Sequence, residues 1–401
     1  MIIVETAGGK VRGTNGAFRG IPYATAQRFR PPAPAPGWTG VHAALQAAPA
    51  AVQPTSRLDP VIGPMTLPQS EDCLSLNVFT PSVAGSRPVL VWFHGGGFLT
   101  GSGGQDWYDG TRLADDADAV VVTVNYRLGV FGFLAFDGVA PPNLGVADQL
   151  TALEWVRDNI SAFGGDPARV TVGGQSAGGQ SALALWSAPA AAGLVHRVAL
   201  QSAPVSLVPQ TRDEAAGWAE KFFDAVGSSD PRELATMPAA RLLDGFATFS
   251  ERTRGQVSTP FQLVADQHLV AGDLITAVKP GPALISWTRE EVRAYNPGAD
   301  ADAVEQGTSA LFSGELPRLA ERFGPGATLL RFDWAAPGNP YGACHCIDLP
   351  FLFGTHAAFK GAGMLEGAPD GVADLTDLRR VWERFLHSER PAVASSFLTA
   401  V

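Results

Sequence analysis

Short, almost wholly apolar runs recur along this chain, and each leads into a helical segment or a glycine-rich turn. Residues 89–93 and 119–124 show the pattern most clearly. Strands of this kind are buried on both faces, as they are in parallel sheets. Parallel neighbours need crossover connections, which are usually helices. The pattern therefore predicts an α/β fold built on a mainly parallel sheet with right-handed crossovers.

The rest of the chain continues this alternation. Further strands are predicted at 169–172, 195–200, 284–287 and 328–332, and helices at 145–162, 177–185, within 211–247 and at 372–387. The proline-rich segment 28–38 predicts an extended surface crossing, because proline lacks the N–H donor of a helix. No linker is long or polar enough to mark a boundary, so we expect a single domain over residues 1–401.

Composition narrows the classes of partner. The 401 residues are 46% hydrophobic, which suits a sizeable buried core. The net charge is −10 and no basic block is present, so we expect no nucleic-acid partner. No apolar run approaches the roughly 18 residues that a membrane span requires. The first residues lack the pattern of a signal peptide, so we expect a cytoplasmic protein without a membrane partner.

The cysteines predict thiols rather than disulfides. Cys73, Cys344 and Cys346 are few and odd in number, which is typical of a reducing compartment. Two of them flank His345, but a structural zinc site usually needs four ligands at a recognisable spacing. We therefore expect neither a metal nor an organic cofactor.

A Gly-x-Ser-x-Gly motif at 174–178 places Ser176 between the predicted strand 169–172 and the predicted helix 177–185. Glycines on both sides allow a tight turn that exposes the serine hydroxyl at the sheet edge. The N–H groups that begin the following helix point toward the same place. This context predicts that Ser176 is a nucleophile rather than part of a plain turn.

A second glycine-rich motif, His94 followed by three glycines, comes directly after the strand 89–93. Consecutive glycines leave backbone N–H groups free to face a ligand oxygen. Together with the N–H of Ala177 they could stabilise an oxyanion in a transition state. We expect His94 to orient this loop rather than to act as a base.

A serine nucleophile needs a base and an acid that orients the base. The α/β-hydrolase order of serine, acid and histidine leaves the downstream histidines as bases: His196, His268, His345, His356 and His387. His345 lies in a loop beyond the strand 328–332, where a base is expected. The strand 284–287 leads to Glu290 and Glu291, and the pattern alone leaves both open as the acid.

Several further segments stand in order along the chain: GIPYA at 20–24, RFRPP at 28–32, EDCLSLNV at 71–78, NYRLG at 125–129 and FGGDP at 163–167. With the serine and glycine motifs they resemble the type B carboxylesterase family, which includes the cholinesterases. The likeness covers nearly the whole chain. It implies an α/β-hydrolase fold with helical insertions around the active site.

The resemblance also implies roles for individual residues. The implied site comprises a triad, three oxyanion donors and one supporting serine: Ser176, His345 and Glu291; Gly96, Gly97 and Ala177; and Ser202. Two structural ion pairs are implied as well, Glu71 with Arg127 and Arg28 with Asp166.

The expected activity is hydrolysis of small to medium apolar or aromatic carboxylic esters through an acyl-enzyme. One alternative is a carbamate or amide hydrolase that uses the same triad. Another is a non-catalytic binding relative, because one fold can serve both uses. Such relatives typically lack the nucleophile, whereas this chain keeps serine, glutamate and histidine in order.

Overall fold

Strands and helices alternate along the chain as the sequence predicts. The computed structural model describes residues 1–254, 260–369, 376–391 and 397–401. The strands are β1 (Ile2–Thr6), β2 (Gly9–Gly13), β3 (Ala17–Pro22), β4 (Ala24–Thr25), β5 (Ala33–Pro34), β6 (Val41–Ala43), β7 (Ala50–Ala51), β8 (Gln69–Ser70), β9 (Ser75–Phe79), β10 (Arg87–Phe93), β11 (Val120–Val124), β12 (Gly165–Gln175), β13 (Arg197–Gln201), β14 (Ala283–Thr288), β15 (Ala327–Phe332) and β16 (Leu398–Ala400). The α-helices are α1 (Asp59–Ile62), α2 (Thr111–Asp116), α3 (Gly129–Phe133), α4 (Leu144–Asn159), α5 (Ala177–Ser187), α6 (Arg212–Val226), α7 (Ala239–Arg252), α8 (Ala301–Thr308), α9 (Leu316–Phe323), α10 (Leu349–Phe353) and α11 (Asp377–Leu386). None of the helices in the described ranges combines the length and the apolarity that a bilayer crossing requires.

A nine-stranded sheet forms the centre of the molecule, in the order β16-β15-β14-β13-β12-β10-β11-β9-β3. From β15 to β11 in this order, neighbouring strands pair in parallel. The outer strands β16, β9 and β3 pair antiparallel. Every residue of β11 and of β14 is buried, which is why these strands read as continuous apolar runs. The predicted α/β architecture is confirmed.

Some boundaries differ from the prediction. The strand expected at 169–172 is longer, because its glycines continue the ladder and pair with Trp92 and Phe93 of β10. The late helix is α11, and residues 372–375 of the predicted range lie outside the described residues. The proline-rich segment 28–38 is only partly the extended surface crossing that was expected: it begins with a turn in which Phe29 has φ 58° and is fully buried, and the short strand β5 follows.

The sheet brings the predicted site residues to one edge. Because β10, β12, β13, β14 and β15 are parallel, their carboxyl ends lie on the same side, where ligands bind in open α/β sheets. The predicted residues all follow these ends: Gly96 and Gly97 follow β10, Ser176 and Ala177 follow β12, Ser202 follows β13, Glu291 follows β14 and His345 follows β15.

A buried ion pair joins the end of β11 to α4. Arg127 Nη2 lies 2.6 Å from Asp148 Oδ1, and Arg127 Nε donates to Asp148 Oδ2 at 2.8 Å. The backbone N–H of Arg127 donates to the same carboxylate, whose side chain is fully buried. A buried charge is tolerated when its partner and hydrogen bonds are in place, as they are here.

The two ion pairs that the resemblance implied are therefore wrong. Arg127 pairs with Asp148, and Glu71 pairs instead with Arg28. Asp166 accepts a hydrogen bond from Ser86. The reason is position: Asp148 lies inside the molecule beside Arg127, whereas Glu71 lies in a more exposed place, with 38% of its side chain accessible.

Replacing Asp148 by alanine should lower the free energy of unfolding by about 3–5 kcal/mol, because Arg127 would keep a buried, unpaired charge. Urea denaturation would measure the loss. Asp158→Ala in the same helix is the matched control. Its partner Arg157 and its own carboxylate are about half exposed, so this change should cost at most about 1 kcal/mol. Equal losses in the two variants would contradict the structural role of the Arg127–Asp148 pair.

Candidate active site

The turn between β12 and α5 holds Ser176 in a strained conformation. Its backbone has φ 57° and ψ −124°, a region that residues with side chains rarely adopt. The turn also packs closely on the end of β10, since a Cβ on Gly178 would lie 2.0 Å from the carbonyl oxygen of Phe93. Only glycine fits at this position. The turn is thus tight and strained, as the motif predicts.

The loop after β10 presents free backbone donors beside this turn. Gly96 and Gly97 have φ 117° and 64°, and the N–H groups of Leu99 and Thr100 both donate to the Gly96 carbonyl at 3.1 Å. The N–H groups of Gly96, Gly97 and Ala177 donate no hydrogen bond to a residue that the structure describes. Unused donors in a partly buried place suit a developing oxyanion.

His94 fixes the shape of this loop, as the sequence predicts. Its Nδ1 lies 2.8 Å from the carbonyl oxygen of Gly95, and its ring stacks on Tyr126 at 4.4 Å. The hydroxyl of Tyr126 donates to the His94 carbonyl at 2.7 Å. Burial lowers the pKa of His94 to about 4, so its ring is neutral at pH 7. These contacts support the loop from behind.

The structure brings Glu291 and His345 together. Glu291 Oε2 lies 2.5 Å from His345 Nδ1, and both side chains are fully buried. The other oxygen, Oε1, accepts from the N–H of Thr288 at 2.8 Å. A carboxylate on Nδ1 holds the proton there and leaves the lone pair on Nε2. The imidazole is thereby oriented as a base.

Glu290, the other candidate acid, faces away from the imidazole. It accepts from Arg293 Nε at 2.8 Å and from the N–H of Ala343 at 2.9 Å. Burial alone would raise the pKa of Glu290, but the hydrogen bonds from Ala343, Arg293 and Arg289 lower it. Glu290 thus anchors the loop that carries His345.

The Nε2 side of the imidazole meets Gln175 rather than Ser176. Gln175 Nε2 lies 3.0 Å from His345 Nε2. Ser176, which is 8% exposed, makes no side-chain hydrogen bond within the described part of the chain. The rings of Phe312 and Tyr295 lie 5.0 Å and 5.8 Å from the imidazole and shield it.

Two further buried polar residues follow strand ends on this side of the sheet. Ser202 is fully buried, and its hydroxyl has no hydrogen-bond partner among the described residues, Glu291 included. Asp348, which sequence reasoning missed, is 2% exposed. Burial and the charge of Glu291 raise the pKa of Asp348 to about 7. Asp348 stands directly before α10, a position that is typical of a helix cap, so no pattern in the chain indicated this contact.

A cavity of about 180 Å³ lies beside the glycine loop and reaches Gly95, Gly96, Gln175 and Cys346. Much of its wall is apolar or aromatic: Leu58, Ile62, Met65, Trp107 and Tyr108. Asp59 adds a carboxylate, whose pKa is raised by burial. A second cavity of about 450 Å³ lies between the segment after Ser202 and α9, and none of the predicted site residues lines it.

The three cysteines are free thiols in buried positions, as expected. Cys346 lies next to the base and lines the smaller cavity. Burial raises the pKa of Cys346 well above its usual value, so this thiol stays protonated near neutral pH.

The known proteins that resemble this chain are esterases and other hydrolases. The model of the carboxylesterase family matches residues 1–309. A probable N-octanoylanthranilate hydrolase from Rhodococcus erythropolis is 38% identical, covering 95% of this chain and 91% of that protein. A phenmedipham hydrolase from Pseudarthrobacter oxydans is 36% identical, with coverages of 93% and 86%. The solved structure of a thermophilic PNB esterase superposes with a TM-score of 0.88 at 32% identity, covering 99% of this chain and 93% of the other.

Replacing Glu291 by glutamine should reduce kcat for a p-nitrophenyl ester by roughly 10⁴-fold. The N–H of Thr288 would still donate to the oxygen of the new side-chain amide, so the amide N–H₂ would face Nδ1 of His345. The imidazole would then carry its proton on Nε2 and could not accept another one there. Steady-state kinetics would measure the loss.

Glu290→Gln is the matched control, because it makes the same chemical change one residue away. Its amide oxygen can still accept from Ala343 or Arg293, so kcat should change little. A larger loss in this variant than in Glu291→Gln would show that the acid has been assigned to the wrong residue.

Proposed function

This chain is a serine esterase that belongs to the carboxylesterase family, as the resemblance in its sequence indicated, and we propose that it hydrolyses carboxylic esters through Ser176, His345 and Glu291. The hydrogen bond of 2.5 Å between Glu291 Oε2 and His345 Nδ1 carries the proposal. A buried carboxylate that orients an imidazole beside a strained serine turn is the arrangement that nucleophilic catalysis requires.

In the first half-reaction, Ser176 Oγ attacks the ester carbonyl carbon while His345 Nε2 takes the hydroxyl proton. Glu291 keeps the ring oriented and stabilises the imidazolium that forms. The carbonyl oxygen becomes an oxyanion, which accepts hydrogen bonds from the N–H groups of Gly96, Gly97 and Ala177. The tetrahedral intermediate collapses, the imidazolium returns its proton to the departing alkoxide, and an acyl-serine remains.

The second half-reaction repeats these roles with water. His345 Nε2 takes a proton from water as the water oxygen attacks the acyl carbon. The same three N–H groups donate hydrogen bonds to the oxyanion that forms. The bond to Ser176 Oγ breaks, the proton returns to the serine, and the carboxylic acid leaves. The chemistry balances without a metal or an organic cofactor.

Ser202 belongs to the proposal as a supporting residue. Its buried hydroxyl has no partner among the described residues, so it keeps a free donor that a bond to the carboxylate of Glu291 would use. Such a bond would stabilise the charged form of the acid. Its role is to hold the acid, and it takes no part in proton transfer.

The smaller cavity supports substrates of small to medium size with an apolar or aromatic part. It adjoins Gly95 and Gly96, where the scissile carbonyl would lie, and Trp107 and Tyr108 form part of its wall. Aromatic and aliphatic walls with a few polar groups are typical of small-molecule sites. We assign the activity to the cytoplasm, because all three cysteines are free thiols.

Hydrolysis of an N-acyl bond is the second candidate. The relative named for N-octanoylanthranilate is 38% identical over 95% of this chain. The same triad can cleave an amide when His345 protonates the leaving nitrogen. The substrate class can therefore differ between close relatives without any change in the catalytic residues.

Replacing Ser176 by alanine should reduce kcat for p-nitrophenyl butyrate by roughly 10⁴-fold or more, because the nucleophile is lost. The variant should also no longer react with a fluorophosphonate probe, which labels activated serines. Ser187→Ala, at the end of the helix α5 that Ser176 precedes, is the matched control and should keep both activity and labelling. Full turnover by Ser176→Ala, with an unchanged circular dichroism spectrum, would exclude Ser176 as the nucleophile.

The ester should also be the better substrate when the acyl group is held constant. We expect a higher kcat/KM for p-nitrophenyl butyrate than for p-nitrobutyranilide, because an anilide nitrogen is a poorer leaving group. Spectrophotometric assays at one pH would compare the two. The opposite order would make N-acyl hydrolysis the main activity.

A further inference from the structure

The side chain of Gln175 lies between the base and the glycine loop. This residue ends β12 and directly precedes Ser176, and it is 1% exposed. Its Nε2 lies 3.0 Å from His345 Nε2 and 3.3 Å from Cys346 Sγ. One N–H of the amide thus meets the imidazole while the other meets the thiol.

The other end of the amide is equally confined. A Cβ placed on Gly95 would lie 2.2 Å from Gln175 Oε1 and 3.1 Å from the Cβ of Ser176. The amide oxygen and the nucleophile therefore both lie on the side of Gly95 where a side chain would project. The two contacts of Nε2 fix the direction in which the amide points.

The tautomer of His345 determines which residue is the donor in the contact between Gln175 and His345. Glu291 holds the proton on Nδ1, so Nε2 carries a lone pair and accepts hydrogen bonds. Gln175 is then the donor. A single lone pair accepts from one donor at a time, and Nε2 is the atom that must take the proton of Ser176. Gln175 and Ser176 therefore compete for the same atom.

We propose that Gln175 is a positioning residue that holds the imidazole of His345 in its resting orientation by donating to Nε2, and that it yields this position to Ser176 when substrate binds. The inference rests on the proposed function. In the exchange, the bond from the amide N–H to Nε2 breaks and the bond from the Ser176 hydroxyl to Nε2 forms. Similar hydrogen bonds replace each other, so the exchange needs little free energy.

The smaller cavity gives substrate access to this exchange. Gln175 lines it together with Gly95, Gly96 and Cys346. An acyl group or alcohol in the cavity would lie against both the amide of Gln175 and the loop at Gly96. Displacement of the amide would therefore accompany binding, which links activation of the base to occupancy of the site.

Other ionisable groups lie around the imidazole and also affect the pH dependence of activity. Those on the neighbouring segments are Glu291, Tyr295, Cys344, Cys346 and Asp348, with Arg57 stacked on the outer face of the Tyr295 ring. All of these groups remain in a Gln175 variant. A change seen in such a variant therefore reports the contacts of Gln175 itself, with Nε2 of His345 and with Cys346 Sγ.

The first test is Gln175→Glu with the pH profile of kcat/KM. An ionised carboxylate cannot donate to neutral Nε2, but it accepts from the N–H of the imidazolium. The midpoint of the acid limb should move to higher pH by about one unit or more. Gln306→Glu is the matched control: Gln306 lies exposed on α8, so the same change in net charge should leave the profile in place. A midpoint for Gln175→Glu equal to that of the wild type would overturn the proposal.

The second test needs no substrate. Gln175→Met keeps the length of the side chain and removes the donor. The Ser176→Ala background is used, because the serine hydroxyl then cannot replace the lost donor. With ¹⁵N-labelled histidine, the Nε2 resonance of His345, assigned by its loss in His345→Gln, should move downfield when Gln175→Met is added at a pH where the ring is neutral. An unchanged resonance would mean that Gln175 merely packs there. Activity retained by Ser176→Ala would instead refute the proposed function, so the two failures are distinguishable.

Discussion

The hydrogen bond between Glu291 and His345 is the interaction on which the site depends. Both side chains are fully buried, and a buried carboxylate is stable only when its oxygens are satisfied. One oxygen meets the imidazole and the other meets the N–H of Thr288. Because Thr288 ends β14 and the loop of His345 follows β15, the sheet register sets the distance between acid and base. The backbone thus orients the base before any substrate arrives.

The sequence predicted those parts of the fold that follow from burial. The central strands could be predicted because both of their faces are buried, and burial on both faces produces an unbroken apolar run in the sequence. The serine turn was recognisable because its strain needs flanking glycines, as the close approach of Gly178 to Phe93 illustrates. Glu290 and Glu291 could not be separated by pattern, since adjacent residues differ only in the direction that their side chains take. That direction depends on Ala343 and Arg293, which are local partners in space.

Contacts between residues that are distant in the sequence were the main feature that could not be predicted. Glu71 stood in a motif that resembled the family, yet Arg127 is satisfied by Asp148 and Glu71 by Arg28. No local pattern distinguishes these pairings, because the partners are chosen by packing. Gln175 was likewise an unspecified position of the serine motif, although its amide meets the base at 3.0 Å. Burial of such residues can be inferred from sequence, but their partners require coordinates.

The absence of a side chain at Gly95 has a consequence for how this site can change. The amide oxygen of Gln175 occupies the space that a methyl group on residue 95 would need. Variation at these two positions is therefore epistatic: alanine at 95 can fit only after 175 has become smaller, and the carbonyl oxygen of residue 175, at 3.0 Å, leaves no room for a larger residue. A laboratory evolution experiment that samples one position at a time would find position 95 intolerant, whereas a combinatorial library could reach pairs that a single change at 95 does not reveal.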